Sequence, residues 1–259
     1  MPNWSGQDAR IQRLNMSRAI SVHLSTADPV MGRLIEAVGP YRLSATLAPE
    51  FGSGVAPSPF GALARAITSQ QLNGTAARAI FQRFAALYLP DPHPRPEQVL
   101  LTPDETLRAV GLSRAKIAAI RDLAAKILDG TVPAFAELER LDDSAIIERV
   151  STVRGIGRWT VEMLLIFQLG RPDVLPIDDL GVRTGFKLAY GLRSMPPPAA
   201  LAAYGTVWRP HRSAAAWYLW RAVELAREGR LPAPAKRIRM PRVSRRRRKS
   251  KRPPPRAAR

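Results

Sequence analysis

Val153-Arg154-Gly155-Ile156-Gly157-Arg158-Trp159-Thr160 stands between two runs of helical periodicity, Ser144–Val150 and Thr160–Leu169. Gly155 and Gly157 permit a tight hairpin, and the second helix then opens with backbone N–H groups that have no intrahelical partner. Such a helix end takes an anion, phosphate above all, without specific side chains. A plain glycine turn between packed helices has the same pattern. The stretch therefore takes its meaning from its surroundings.

Outward from it the helical spacing recurs. Asp28–Pro29 opens a helix bearing Val30, Met31, Leu34, Ile35 and Val38, stopped at Gly39–Pro40. Phe60, Leu63, Ala64 and Ile67, then Ala76, Ala77, Ile80, Phe81 and Phe84, form a longer pattern interrupted by Ser69-Gln70-Gln71-Leu72-Asn73-Gly74. After a proline-rich connection, Pro90–Pro96, short helices are predicted around residues 97–100, 104–110, 114–129 and 142–151. Nothing from residue 28 to 229 reads as alternating strands, so an all-α, multi-helix domain is predicted there. Residues 1–27, polar and weakly patterned, read as a loosely held N-terminal arm with one short helix at most. Residues 230–259, rich in Arg and Pro with no apolar period, read as a disordered tail.

Composition narrows the function. Cysteine is absent from the 259 residues. That excludes a disulfide framework, a thiol nucleophile, a zinc ribbon and a cysteine-ligated iron–sulfur cluster. Three scattered histidines, His23, His93 and His211, do not make a transition-metal centre. No apolar run approaches the roughly 18–20 residues that cross a bilayer, and the arginine-bearing N-terminus is not a secretory signal. A soluble protein of the cytoplasm and nucleoid, or of a nucleus in a eukaryote, is expected. The net charge is +19, but residues 230–259 hold 14 basic and no acidic side chains; the rest carries 26 basic against 21 acidic, a net of +5. A polyanion is the expected partner. Nucleic acid fits better than membrane, since no amphipathic anchor accompanies the charge. The tail can lie along phosphates whatever their sequence.

A second segment follows Trp159 by about twenty residues: Leu175-Pro176-Ile177-Asp178-Asp179-Leu180-Gly181-Val182-Arg183. Two carboxylates before a helical run are ordinarily N-caps. With both segments in order, the chain resembles the helix-hairpin-helix (HhH-GPD) DNA glycosylase superfamily, and within it the 3-methyladenine DNA glycosylase II (alkylbase) branch. Ala66-Ile67-Thr68-Ser69-Gln70-Gln71 resembles that branch's glutamine-bearing loop. Gly155 to Thr160 resembles its hairpin with a trailing tryptophan, and Pro176 to Gly181 its catalytic-Asp segment. Trp208-Arg209-Pro210-His211-Arg212-Ser213, ending in Trp220, resembles its last helix. The likeness spans about residues 28–227 and leaves no room for the mixed α/β domain of some members.

The resemblance implies a two-lobed fold with a cleft between lobes, and a monomer that excises alkylated purines such as 3-methyladenine and 7-methylguanine from double-stranded DNA after flipping the base. It implies Asp179 as the catalytic residue, with Asp178 left as the helix cap. Trp159, Trp220, Gln70 and Met163 would line the base pocket, Met163 standing where members often carry tyrosine. Gly155, Ile156, Gly157, Arg158 and Thr160 would hold DNA, and Gln71 or Leu72 would fill the gap left by the flipped nucleotide. No cofactor is expected beyond a monovalent cation on the backbone carbonyls of Ser151, Val153 and Ile156. Members that also cut the backbone carry a Schiff-base lysine where this chain has Trp159, so a monofunctional enzyme is expected. The chemistry fits independently: a fixed carboxylate stabilises the positive charge that builds on the sugar, and a base already cationic leaves without an acid. The competing reading is a non-catalytic helix-hairpin-helix DNA-binding protein.

Overall fold

The sequence periodicities become a succession of helices, with no strand among the described residues. A computed structural model describes residues 6–41, 58–90 and 94–234. In chain order the helices are α1 (Gly6–Ala27), α2 (Pro29–Val38), α3 (Pro59–Ser69), α4 (Gly74–Ala86), α5 (Pro96–Leu101), α6 (Asp104–Ala109), α7 (Arg114–Leu128), α8 (Phe135–Leu138), α9 (Asp143–Val150), α10 (Arg158–Phe167), α11 (Leu180–Ala189), α12 (Pro198–Tyr204), a 3-10 turn (Gly205–Trp208) and α13 (Arg212–Arg227). Ser58, Asn73, Ser113 and Asp142 each cap the helix that follows, their side chains accepting a backbone N–H of its first turn. The reading of a tail from 230 onward falls, beyond residue 234, outside the described residues.

These helices bury two cores. Phe60, Leu63, Ile67, Phe84, Ile120 and Leu164 belong to one, supplied by α3 to α10. Leu24, Met31, Leu34, Phe186, Trp208 and Leu219 belong to the other, supplied by α1, α2 and α11 to α13. The chain starts in the second core, enters the first at α3, and returns to the second at one peptide: Val174 packs in the first core and Leu175 in the second. Trp220 packs against both. This is the two-lobed all-α architecture that the resemblance implies, and it puts the Asp178–Asp179 segment at the junction of the lobes. Helix α10 is buried at every position from Thr160 to Phe167, which accounts for its nearly unbroken apolar sequence.

The N-terminus departs from the expected loose arm. α1 is a continuous 22-residue helix, and Ile20 and Leu24 enter the second core. Ser17 Oγ donates to the Tyr41 carbonyl and the His23 ring pairs with the Arg209 carbonyl. Two buried apolar residues one turn apart dock it, while Met16 and Val22 of the same helix stay exposed. So narrow a stripe gives almost no periodicity to read.

The second lobe is tied together by one buried carboxylate. Asp28 caps α2, its Oδ1 accepting from the Val30 N–H at 3.0 Å. Its Oδ2 accepts from the Tyr190 hydroxyl at 2.5 Å, Trp208 Nε1 at 2.9 Å and the Tyr204 hydroxyl at 3.2 Å. Burial first, and then the Asp28 charge, push the Tyr190 hydroxyl well above its ordinary range. Asp28→Ala strips these buried donors of their acceptor, so a loss of about 3 kcal/mol is expected. Urea unfolding checks this; a midpoint within error of wild type would contradict it.

Candidate active site

At the lobe junction Asp179 is held by three donors on two oxygens. Its Oδ1 accepts from the Val182 N–H at 2.6 Å and from Trp220 Nε1 at 2.9 Å. Its Oδ2 accepts from Trp159 Nε1 at 2.7 Å. One carboxylate thus joins α10, α11 and α13 and is 9% exposed. Asp179 is itself the N-cap of α11, which corrects the assignment of the cap to Asp178. The Asp179 N–H closes a turn onto the Pro176 carbonyl at 3.1 Å. That turn makes residue 179 the last before the helix and leaves Asp178 exposed.

The two tryptophans reach this carboxylate from opposite lobes. Trp159, in the first turn of α10, stays 39% exposed. Trp220 lies stacked on Phe167, rings 5.8 Å apart and 26° from parallel, so one of its faces is already covered. Gly181 makes the approach possible, because a Cβ there would lie 2.8 Å from Trp220 Cδ1. Met163, one turn beyond Trp159, is only 2% exposed and packs in the first core. Trp217 is a core residue of the second lobe, edge-on to Tyr41.

The hairpin forms as the glycines indicate. Gly155 has φ +76°, a conformation that favours glycine. Gly157 is the N-cap of α10, and a Cβ there would meet nothing within 4 Å, so the turn presents bare backbone outward. Ile156 and Thr160 are buried and anchor it, while Arg158 points outward with 60% of its side chain exposed. Gln70 lies closer to this hairpin than the pocket role alone implies, since its Nε2 donates to the Gly155 carbonyl at 2.8 Å. Gln71 adopts φ +60°, rare outside glycine, and Leu72 beside it is 39% exposed. Strained residues of this kind gather at functional sites.

Two residues of the site escaped the sequence reading. Asp122 and Lys126, one turn apart on α7, brace the hairpin from behind. Asp122 Oδ2 accepts from the Arg154 N–H at 2.7 Å and from Lys126 Nζ at 2.8 Å, and Nζ also donates to the Thr152 carbonyl at 2.6 Å. Burial pushes the Asp122 carboxyl up, but the Lys126 and Arg154 interactions outweigh it and hold it below the ordinary aspartate range. An Asp and a Lys four apart on a helix look like a surface pair, and nothing in the sequence ties them to a turn some thirty residues away. Beside the brace, Ser151 Oγ is buried without a hydrogen-bond partner. A spare oxygen there fits a cation held by the carbonyls of Ser151, Val153 and Ile156.

Chemically, a bare hairpin with an outward arginine can take a phosphate, an exposed apolar residue stands on a strained loop, and an oriented carboxylate lies between aromatic rings. The sequence pattern described as "HhH-GPD superfamily base excision DNA repair protein" matches residues 64–210. DNA-3-methyladenine glycosylase 1 of Schizosaccharomyces pombe is 40% identical over 205 residues, which are 79% of this chain and 87% of that protein. The solved structure of the 3-methyladenine DNA glycosylase of that yeast, in complex with abasic DNA, superposes with a TM-score of 0.71 at 39% identity, over 80% of this chain and 98% of the other. A DNA-3-methyladenine glycosidase from Bacillus halodurans gives 0.69 at 34% identity, over 79% and 89%. With the hairpin, the junction carboxylate and the two lobes in place, the chain belongs to the HhH-GPD superfamily of base excision DNA repair proteins.

Proposed function

We propose that the protein is a monofunctional DNA glycosylase that flips an alkylated purine out of the duplex and hydrolyses its N-glycosidic bond. The observation that carries this reading is the Asp179 carboxylate, oriented at the lobe junction by the Trp159 and Trp220 indoles. A protein that only bound DNA through its hairpin would not need it.

The chain's own groups suffice for the steps. The Gly155–Gly157 turn and Arg158 hold a phosphate of the damaged strand. Leu72 enters the stack where the nucleotide left, and Gln70 keeps its loop against the hairpin. The base lies against the exposed surface of Trp159, whose electron-rich ring suits a cation. As the glycosidic bond lengthens, positive charge collects on the sugar, and Asp179 stabilises it and orients the attacking water. A base methylated on a ring nitrogen is already cationic and leaves without a proton. Ser151, Val153 and Ile156 would hold a monovalent cation, which would add positive charge beneath the bound phosphate.

The test is a duplex carrying a single 7-methylguanine or 3-methyladenine, treated with the protein and then with alkali to break abasic sites. Base release dependent on the lesion is expected. Tight binding with no release would favour the non-catalytic reading instead. The hairpin brace gives a separate prediction. Asp122→Ala frees the Arg154 N–H, so weaker binding to damaged and undamaged duplex alike is expected, by about tenfold, and fluorescence anisotropy checks it. Because the Asp122 carboxyl sits below its ordinary range, its contribution to the brace is present above the ordinary aspartate range and is lost as pH falls through the lower folded value.

A further inference from the structure

Between Thr160 and Phe167, the part of α10 that is buried at every position, one residue is charged. Glu162 is 2% exposed, and its Oε1 accepts from Arg158 Nε at 2.8 Å. The pair has the spacing of an ordinary helix-surface ion pair but not its setting, since the Arg158 side chain is 60% exposed and that of Glu162 only 3%. Burying a carboxylate is costly, and an exposed partner repays little of that cost. An apolar residue would serve the core better. Glu162 also sits one turn along from Trp159, on the same side of the helix. Burial above all pushes its carboxyl up, Arg158 opposes that rise, and the Asp178 and Asp179 charges add to it.

We propose that Glu162 is a specificity-determining residue, a second fixed negative charge behind the Trp159–Asp179 contact that favours a cationic sugar and a cationic base over neutral ones. The proposal rests on the glycosylase reading. The Glu162 carboxylate touches neither Asp179 nor Trp159 through a hydrogen bond of its own. It acts through its field from a buried position, where charge is poorly screened. Arg158 holds it in place from the solvent side, so its charge is fixed before DNA arrives. In this respect Asp179 supplies the contact and Glu162 deepens the negative potential around it.

The experiment compares affinities for two duplexes, one with a tetrahydrofuran abasic analogue, which is neutral, and one with a pyrrolidine analogue, protonated at neutral pH. Wild type is expected to prefer the pyrrolidine duplex. Glu162→Gln, nearly isosteric, should cut that preference by about fivefold, over and above any loss common to both duplexes that follows from loosening Arg158. Glu162→Asp, which keeps the charge, should retain most of it. An unchanged preference in Glu162→Gln, or an equal loss on both duplexes, would overturn the proposal, the second by revealing a merely structural role. Asp179→Asn, measured alongside, separates the two levels. If neither wild type nor Asp179→Asn distinguishes the duplexes, the glycosylase reading fails and takes the proposal with it. If Asp179→Asn alone loses the preference, only the Glu162 proposal fails.

Discussion

Asp179→Asn is expected to slow base excision by about a thousandfold, the scale of removing a preorganised charge from a reacting centre, while duplex binding survives. The proposed binding surface is the hairpin and the Gln70–Leu72 loop, and neither is touched by the substitution. The variant is not silent in stability. The carboxylate accepts three N–H groups on two oxygens, whereas an amide has a single acceptor oxygen. If that oxygen keeps the α11 cap and Trp220, the new NH2 faces the Trp159 N–H, donor against donor. A stability loss of about 1–2 kcal/mol therefore accompanies the loss of activity. Single-turnover kinetics with saturating protein separates the two effects. Asp178→Asn, at an exposed position with no cap to lose, should stay close to wild type. An active Asp179→Asn beside an inactive Asp178→Asn would move the catalytic assignment by one residue.

Gly185→Ala is expected to have the largest effect on stability. Helix α11, which Asp179 caps, crosses α13, which carries Trp220, and a Cβ at Gly185 would drive into the Leu219 carbonyl of α13. That obstacle is backbone, so no rotamer change relieves it and the helices must part. Overpacking of this kind costs about 3 kcal/mol or more. In a protein of this size that lowers the melting temperature by roughly 10 °C. Because the same crossing brings Trp220 to Asp179, excision should fall further than the folded fraction alone requires. A Gly185→Ala protein with wild-type melting and activity would contradict the packing described.

Most helices of residues 28–229 were legible because they have a wide apolar stripe, a capping residue or a Gly/Pro break; Ser113 and Asp142 mark two starts that the structure places one residue on. The short α8 and α12, which no capping side chain opens, were not read. α1 was not legible, because only Ile20 and Leu24 among its described residues are both apolar and buried. The distinction between Asp178 and Asp179 as cap depended on a turn at Pro176 that either register allows on paper. The Asp122–Lys126 brace and the Phe167 backing of Trp220 are products of tertiary packing, with no local pattern to announce them. Glu162 was visible only as a charge in an apolar run. Its meaning came from the burial of α10 on every side.

Borohydride added during turnover on a duplex with one 7-methylguanine tests the central claim most directly. With Trp159 where a Schiff-base lysine would stand, free 7-methylguanine should appear, the strand should stay intact until alkali is added, and no protein–DNA adduct should form. A trapped covalent adduct would contradict water-based hydrolysis at Asp179. Absence of released base would contradict the glycosylase itself.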